Sequence, residues 1–186
     1  MVFVVEGCSG VRLVDDQKIL DVGNLDCRVT LTLVLVKTLA NKAGEQEILD
    51  RICKLSDIDK ANWGRMSVHQ MMCHLTDSYC VALGEKTASP ATGLVQQTIV
   101  KWLALWAPFK WMKGYSTRPE IEQGRGGSAP TEFEADRIAL RTVVGHFREN
   151  LPQPCLPHPV FGPMKAREWL RWGYLHADHH LRQFGH

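Results

Sequence analysis

From Asn41 onward, apolar residues recur at helical spacing. Ile48, Leu49, Ile52 and Leu55 form one stripe, which predicts a helix over about Ala43–Leu55. A second helix starts at Ser67, where Ser67 and Gln70 have the spacing of a capping box, each side chain serving the other's backbone. Its apolar face is Val68, Met71, Met72, Leu75, Tyr79 and Leu83, and Gly84 is its expected stop. A third helix is expected over about Leu94–Trp106. A fourth begins near Thr131, where Thr131 and Glu134 again fit a capping box, and turns Phe133, Leu140, Val144 and Phe147 inward. The last covers about Lys165–Phe184 and ends at Gly185. Between these lie a long glycine-rich connection, Lys113–Pro130, and a proline-rich link holding Pro152, Pro154, Pro157, Pro159 and Pro163. Four or five amphipathic helices with little convincing strand among them predict an all-α bundle.

Residues 1–35 differ in texture. They hold Gly, Asp and Val clusters and end in the β-branched and aliphatic run Arg28–Val36, which reads as a strand without a pairing partner. The expected division is an N-terminal extension, 1–35, outside the folded domain, and a helical domain over 36–186. An alternative start codon encoding Val36 is the corresponding expectation for translation, and the intact mass of the native protein tests it. The first residues have no basic leading region and Glu6 interrupts their apolar run, which reads against a signal peptide.

Composition narrows the class. Of 186 residues, 45% are hydrophobic and 23% charged, with a net charge of +2, which excludes a mainly disordered chain and gives no footprint of a nucleic-acid partner. Six cysteines without a CxxC pair fit a reduced, cytoplasmic protein. The most apolar stretch, Leu94–Met112, carries Gln96, Gln97, Lys101 and Lys110 and is broken by Pro108, so it is too polar and too short to span a membrane. Trp102, Trp106 and Trp111 beside lysines leave an interfacial helix open as the lesser reading, and a helix packed on the core is preferred. No membrane partner is expected.

The chemistry lies in the histidines. His176 and His180 are four residues apart, on one face of the last helix and about 6 Å apart along its axis. Two imidazoles so placed reach one metal ion. Trp169, Trp172, Gly173, His179 and Gln183 share that broad face. A site needs a third ligand. His74 flanks the buried stripe of the second helix and is able to point into a bundle, while His146 and His158 stand in reserve. His69 reads as a surface or cap-adjacent residue, Cys73 as a small core residue and His186 as a disordered terminus. The segment His176–His180 lacks the glutamate of helical zinc proteases, which disfavours that chemistry. Asp77 either supports a histidine or is solvated. Arg118 either binds an anionic group through its planar fork or pairs with Glu120. The connection Lys113–Pro130 is a candidate lid.

Two segments carry a family resemblance. Trp63 to His74, followed by Asp77, resembles the second helix of the DinB-like superfamily, and His176-Ala-Asp-His179-His180-Leu-Arg-Gln183 resembles its H-x-x-H-H-x-G-Q ending, with Arg182 where that pattern has glycine. Lys113-Gly114, Thr117 to Glu120, Gln123, Gly126-Gly127, Glu132-Phe133, Asp136 and His158 to Gly162 resemble one uncharacterised branch of it. The resemblance covers about Val36 to Gly185. It implies an antiparallel four-helix bundle, often a homodimer, with a divalent metal, zinc or nickel, held by His74, His176 and His180. Characterised relatives include S-transferases and an isomerase that use a low-molecular-weight thiol. The expected function is therefore metal-dependent transfer of such a thiol to a small electrophilic substrate. A non-catalytic metal or small-ligand binding bundle and a metal-dependent hydrolase are the alternatives.

Overall fold

The computed structural model describes residues 2–5, 11–15 and 18–22 as strands, and residues 36–91, 93–115 and 117–186 with their side chains. The chain divides into two compact units, Met1–Val36 and Lys37–His186. In the first unit, β1 (Val2–Val5), β2 (Val11–Asp15) and β3 (Lys18–Val22) form an antiparallel sheet in sequence order, with Val4 opposite Arg12 and Leu13 opposite Leu20. None of these three strands is among the elements expected from the sequence. Each is only four or five residues long, too short for periodicity to announce. Apart from Val36, the strand expected over Arg28–Val36 lies outside the described residues.

The second unit is helical: α1 (Lys42–Cys53), α2 (Val68–Leu83), α3 (Lys101–Trp106), α4 (Phe133–Asn150) and α5 (Ala166–Gln183). The Ser67–Gln70 capping box closes reciprocally on α2, and Gly84 ends that helix at φ 82°, a conformation that favours glycine. The expected Thr131–Glu134 box does not form. Glu132 caps α4 by accepting from Ala135 N, Thr131 is drawn instead to Asp136, and Glu134 pairs with Arg137. Carboxylates compete well for the free N–H groups of a first turn.

Helix α1 packs against α4 and α5, and so does α2, so each of these four helices meets two of the others, while α3 packs on α5. The stripes expected from spacing form the core. Ile48, Ile52, Met71, Leu75, Leu140, Val144 and Phe147 are fully or almost fully buried, with Trp169 and Leu181 from α5. Gly173 permits a close approach. A β-carbon there would lie 2.9 Å from Leu39 Cδ1, 3.1 Å from Phe147 Cε1 and 3.2 Å from Tyr79 Cε1, and the Tyr79 hydroxyl donates to the Gly173 carbonyl at 2.7 Å. Both rings are fully buried and have nowhere to retreat. Gly173→Val is expected to destabilise the domain by at least about 2 kcal/mol, read from urea unfolding, because overpacking forces rings and backbone apart.

The run Leu94–Met112 departs from expectation. Residues 94–106 are helical, with one π-helical turn at Gln96–Val100, but the helix buries only Leu105 fully. Leu94, Ile99, Trp102, Phe109 and Met112 are exposed. Apolar residues lie all round this segment, so packing one side on α5 leaves the others uncovered. Among the described residues no helix is long and apolar enough to cross a membrane, and Cys53, Cys73, Cys80 and Cys155 are free thiols.

Candidate metal centre

His176 and His180 lie one helical turn apart on α5, and α2 brings His74 against them. The ring centroids of His74 and His176 are 5.3 Å apart, those of His74 and His180 4.9 Å, and those of His176 and His180 4.9 Å. One nitrogen from each ring lies within 4.8 Å of the others, and all three residues are buried. Burial disfavours the imidazolium form, and each ring raises the cost of charging its neighbours. The pKa of His74 is therefore lowered, chiefly by burial, and those of His176 and His180 are held well below the ordinary value. All three are neutral at pH 7, the form that ligates a metal.

The outer hydrogen bonds fix which nitrogen is free. His74 Nδ1 donates to the Ile121 carbonyl at 3.0 Å, which leaves Nε2 with its lone pair. Gln183 Nε2 donates to the Trp63 carbonyl at 2.6 Å, which turns Gln183 Oε1 toward His180 Nδ1 at 2.9 Å. An amide oxygen only accepts, so His180 also carries its proton on Nδ1 and exposes Nε2. Metal-binding histidines ordinarily hold their second nitrogen in this way. His176 Nδ1 is buried without a hydrogen-bond partner among the described residues. An unpartnered buried nitrogen beside two oriented imidazoles suits a metal ligand.

The Gln183 clamp depends on a glycine. Gly64 adopts φ +82°, and a β-carbon there would lie 2.6 Å from Gln183 Nε2. Only glycine lets the Trp63 carbonyl meet this amide. Gln183→Leu removes the acceptor from His180 and is expected to weaken zinc binding about 10- to 100-fold, measured by competition with a chromophoric chelator.

The three histidines open onto a cavity of about 760 Å³. Trp172 stands 4.8 Å from the His176 ring, Trp111 5.9 Å from it, and Trp63 5.9 Å from the His179 ring, centroid to centroid. Trp169 and Trp172 thus serve both core and cavity wall. His179 lines the cavity, its Nδ1 lacks a hydrogen-bond partner among the described residues, and burial lowers its pKa.

Other singled-out residues have different work. His158 is not part of the cluster. Its Nδ1 accepts from Val160 N at 3.0 Å and Phe161 N at 3.1 Å, and burial pushes its pKa down to about 3. His146 is exposed beside Glu149. His186 is ordered, contrary to expectation: its Nε2 meets Asp59 Oδ2 at 2.9 Å and its carbonyl accepts from Arg51. Asp77 neither supports a histidine nor faces solvent. It is buried, pairs with Lys86 and accepts from both the backbone N–H and the hydroxyl of Ser128. The connection Lys113–Pro130 is thus tied to α2 twice, at His74–Ile121 and at Asp77–Ser128. Arg118 lines the cavity and donates to Ser89 Oγ at 2.7 Å.

A second cluster, His69, Cys73 and Asp136, also lies within 4.8 Å. Sequence reading did not assemble it, because it joins α2 to the start of α4. Asp136 already accepts from Thr131 N, Thr131 Oγ and Cys73, and meets His69 Nε2 at 2.6 Å. Burial works against its ionisation, and these hydrogen bonds outweigh it, leaving the carboxyl below its usual pKa. Burial and Asp136 together push the Cys73 thiol up to about 12, an unreactive state. Asp136 Oδ2 takes both the thiol and the imidazole, and no thiol–imidazole hydrogen bond forms among the described residues. This cluster reads as a helix-to-helix clasp.

Fold and site together define a helical domain with three buried, neutral histidines suited to hold one cation beside an apolar cavity. The chain belongs to the family described as Protein of unknown function (DUF1569), which matches residues 37–186. No curated protein and no solved structure matches the chain.

Proposed function

We propose that residues 37–186 form a DinB-like four-helix bundle in which His74, His176 and His180 hold one divalent cation, zinc or nickel. We further propose that the bundle transfers a low-molecular-weight thiol to a small electrophile. The observation that carries this reading is the meeting of three neutral imidazoles from two helices, two of them with the outer nitrogen already engaged. The mutual packing of α1, α2, α4 and α5 supports the bundle. Three protein ligands are the pattern of open rather than structural zinc sites. A cation so held lowers the pKa of a thiol or water bound beside it.

The chain's own residues supply the rest. Trp63, Trp111 and Trp172 exclude water from the histidine end and offer a face to an apolar electrophile. His179, neutral and at the cavity wall, is placed to accept a proton from an incoming thiol. Among the described residues, no Asp, Glu or Cys lines the cavity. That disfavours a hydrolase with a carboxylate base and any mechanism with a protein thiol nucleophile. It also favours, as the second reading, a bundle that binds metal without catalysis.

The test is a screen of glutathione, bacillithiol and mycothiol against chloronitrobenzenes with the zinc- and nickel-loaded full chain. Metal-dependent thioether formation, lost in the His176→Ala/His180→Ala variant, is the expected result. Ester or amide cleavage without thiol consumption indicates the hydrolase. Inactivity in both assays with stoichiometric metal indicates the binding protein.

A further inference from the structure

The cavity has an unbalanced charge. Among the described residues, its cationic side chains are Arg65 and Lys110, exposed, and Arg118, half-buried, and no carboxylate lines it. Beside it, Lys113 Nζ lies 4.3 Å from the centroid of the Trp63 ring. Glu120, two residues from Arg118, is outside the lining and forms no ion pair with it among the described residues, although its pKa is lowered, first by a hydrogen bond with the Ser89 hydroxyl that Arg118 also meets and in smaller part by the charge of Arg118. A dication held by three neutral imidazoles adds two positive charges and no protein anion. A cationic wall whose described lining carries no carboxylate concentrates anions.

Arg118 is the best-placed partner. Its Nη2 donates to Ser89 Oγ, and its Nε–H is buried without a partner among the described residues. In a guanidinium, Nε–H and one Nη2–H form the side-on edge, which takes a carboxylate in two parallel bonds. Leu103, Phe109, Trp111 and Val160 make much of the remaining wall apolar.

We propose that the cavity binds an amphiphilic anion, an apolar body carrying one carboxylate, with Arg118 as the partner of the carboxylate. The inference deepens the proposed function by giving the class of its small molecule. It rests on that reading only for the metal's share of the positive charge.

Octanoate, octanol and octyltrimethylammonium present one chain with three head charges. Trp63, Trp111, Trp169 and Trp172 line the cavity and report binding through intrinsic fluorescence. Titrations use the full chain, zinc-loaded and chelator-treated. Octanoate is expected to bind at least about tenfold more tightly than octanol, and the cation more weakly than either, in both forms. Arg118→Gln is expected to erase the octanoate advantage while leaving octanol affinity unchanged, which also shows that the cavity is intact. Arg118→Lys retains the charge without the fork and is expected to fall between the two. The proposal is overturned if octanoate does not bind, if octanol binds as tightly, or if Arg118→Gln and Arg118→Lys both keep the full preference. The chelator-treated titration separates the two readings. A failed metal assignment leaves the anion preference standing, and a lost preference leaves the metal assignment standing.

Discussion

The His176→Ala/His180→Ala variant is expected to lose stoichiometric zinc while keeping the helical circular dichroism of the wild type. Each substitution removes one of three ligands, and a lone His74 retains a cation no better than any exposed imidazole. The helix itself survives, because the neighbouring anchors of α5, Trp169, Ala177 and Leu181, are packed in the core independently of the two rings. The removed rings leave space beside the cavity rather than inside the core, so water fills it. Elemental analysis after native purification gives the answer directly. Zinc retained at one equivalent in this variant contradicts the assignment and turns attention to His69, Cys73 and Asp136, which the substitutions leave untouched.

The second large effect is with acid. His74, His158, His176, His179 and His180 all have pKa values below that of a free imidazole, in each case first because of burial. The unfolded chain takes up protons at about pH 6.5, whereas the folded chain does not, so stability falls as pH drops below about 6.5. The loss continues until each folded pKa is reached. His158 alone, with its pKa near 3, accounts for about 2 kcal/mol at pH 5. The other four act in the same direction, so the chelator-treated protein is expected to unfold between about pH 6.5 and 5. Zinc binding is lost over the same range, because protons and metal compete for the same lone pairs.

Carboxylates act in a separate, lower window. Burial opposes ionisation of Asp136 and Asp178, but their hydrogen bonds and, for Asp178, the guanidinium groups of Arg182 and Arg51 leave both pKa values lowered. Their contribution is complete above about pH 4 and disappears below it. Urea midpoints of the metal-free protein from pH 8 to 5 read the histidine window alone, because the carboxylates act only at lower pH. A midpoint unchanged down to pH 5 contradicts buried neutral histidines.

Local signals explain what was legible in the chain. Ser67–Gln70 and Gly84 bracket α2 because caps are set by residues adjacent in sequence. The spacing of His176 and His180 places both on one helix face for the same reason. Long-range partners left no such mark. The carbonyl that orients His74 belongs to Ile121, 47 residues away, and the one that orients Gln183 belongs to Trp63, 120 residues away. Backbone carbonyls are present at every position, so no residue type announces them. Gly64 was the available clue, since a positive φ beside a buried amide requires glycine, but glycine alone does not name its neighbour. The spacing of Asp77 fits either histidine support or solvent, and its partner Ser128 lies in a connection whose path no periodicity predicts. Residue type alone makes His158 a reserve ligand, and the turn through Gly162 gives its lone pair to two backbone N–H groups instead.

X-ray absorption at the zinc edge of the loaded full chain tests the central claim most directly. Three imidazole nitrogens at about 2.0–2.1 Å and no sulfur are expected from His74, His176 and His180. A zinc–sulfur distance of about 2.3 Å, or a shell with fewer than three imidazoles, contradicts it.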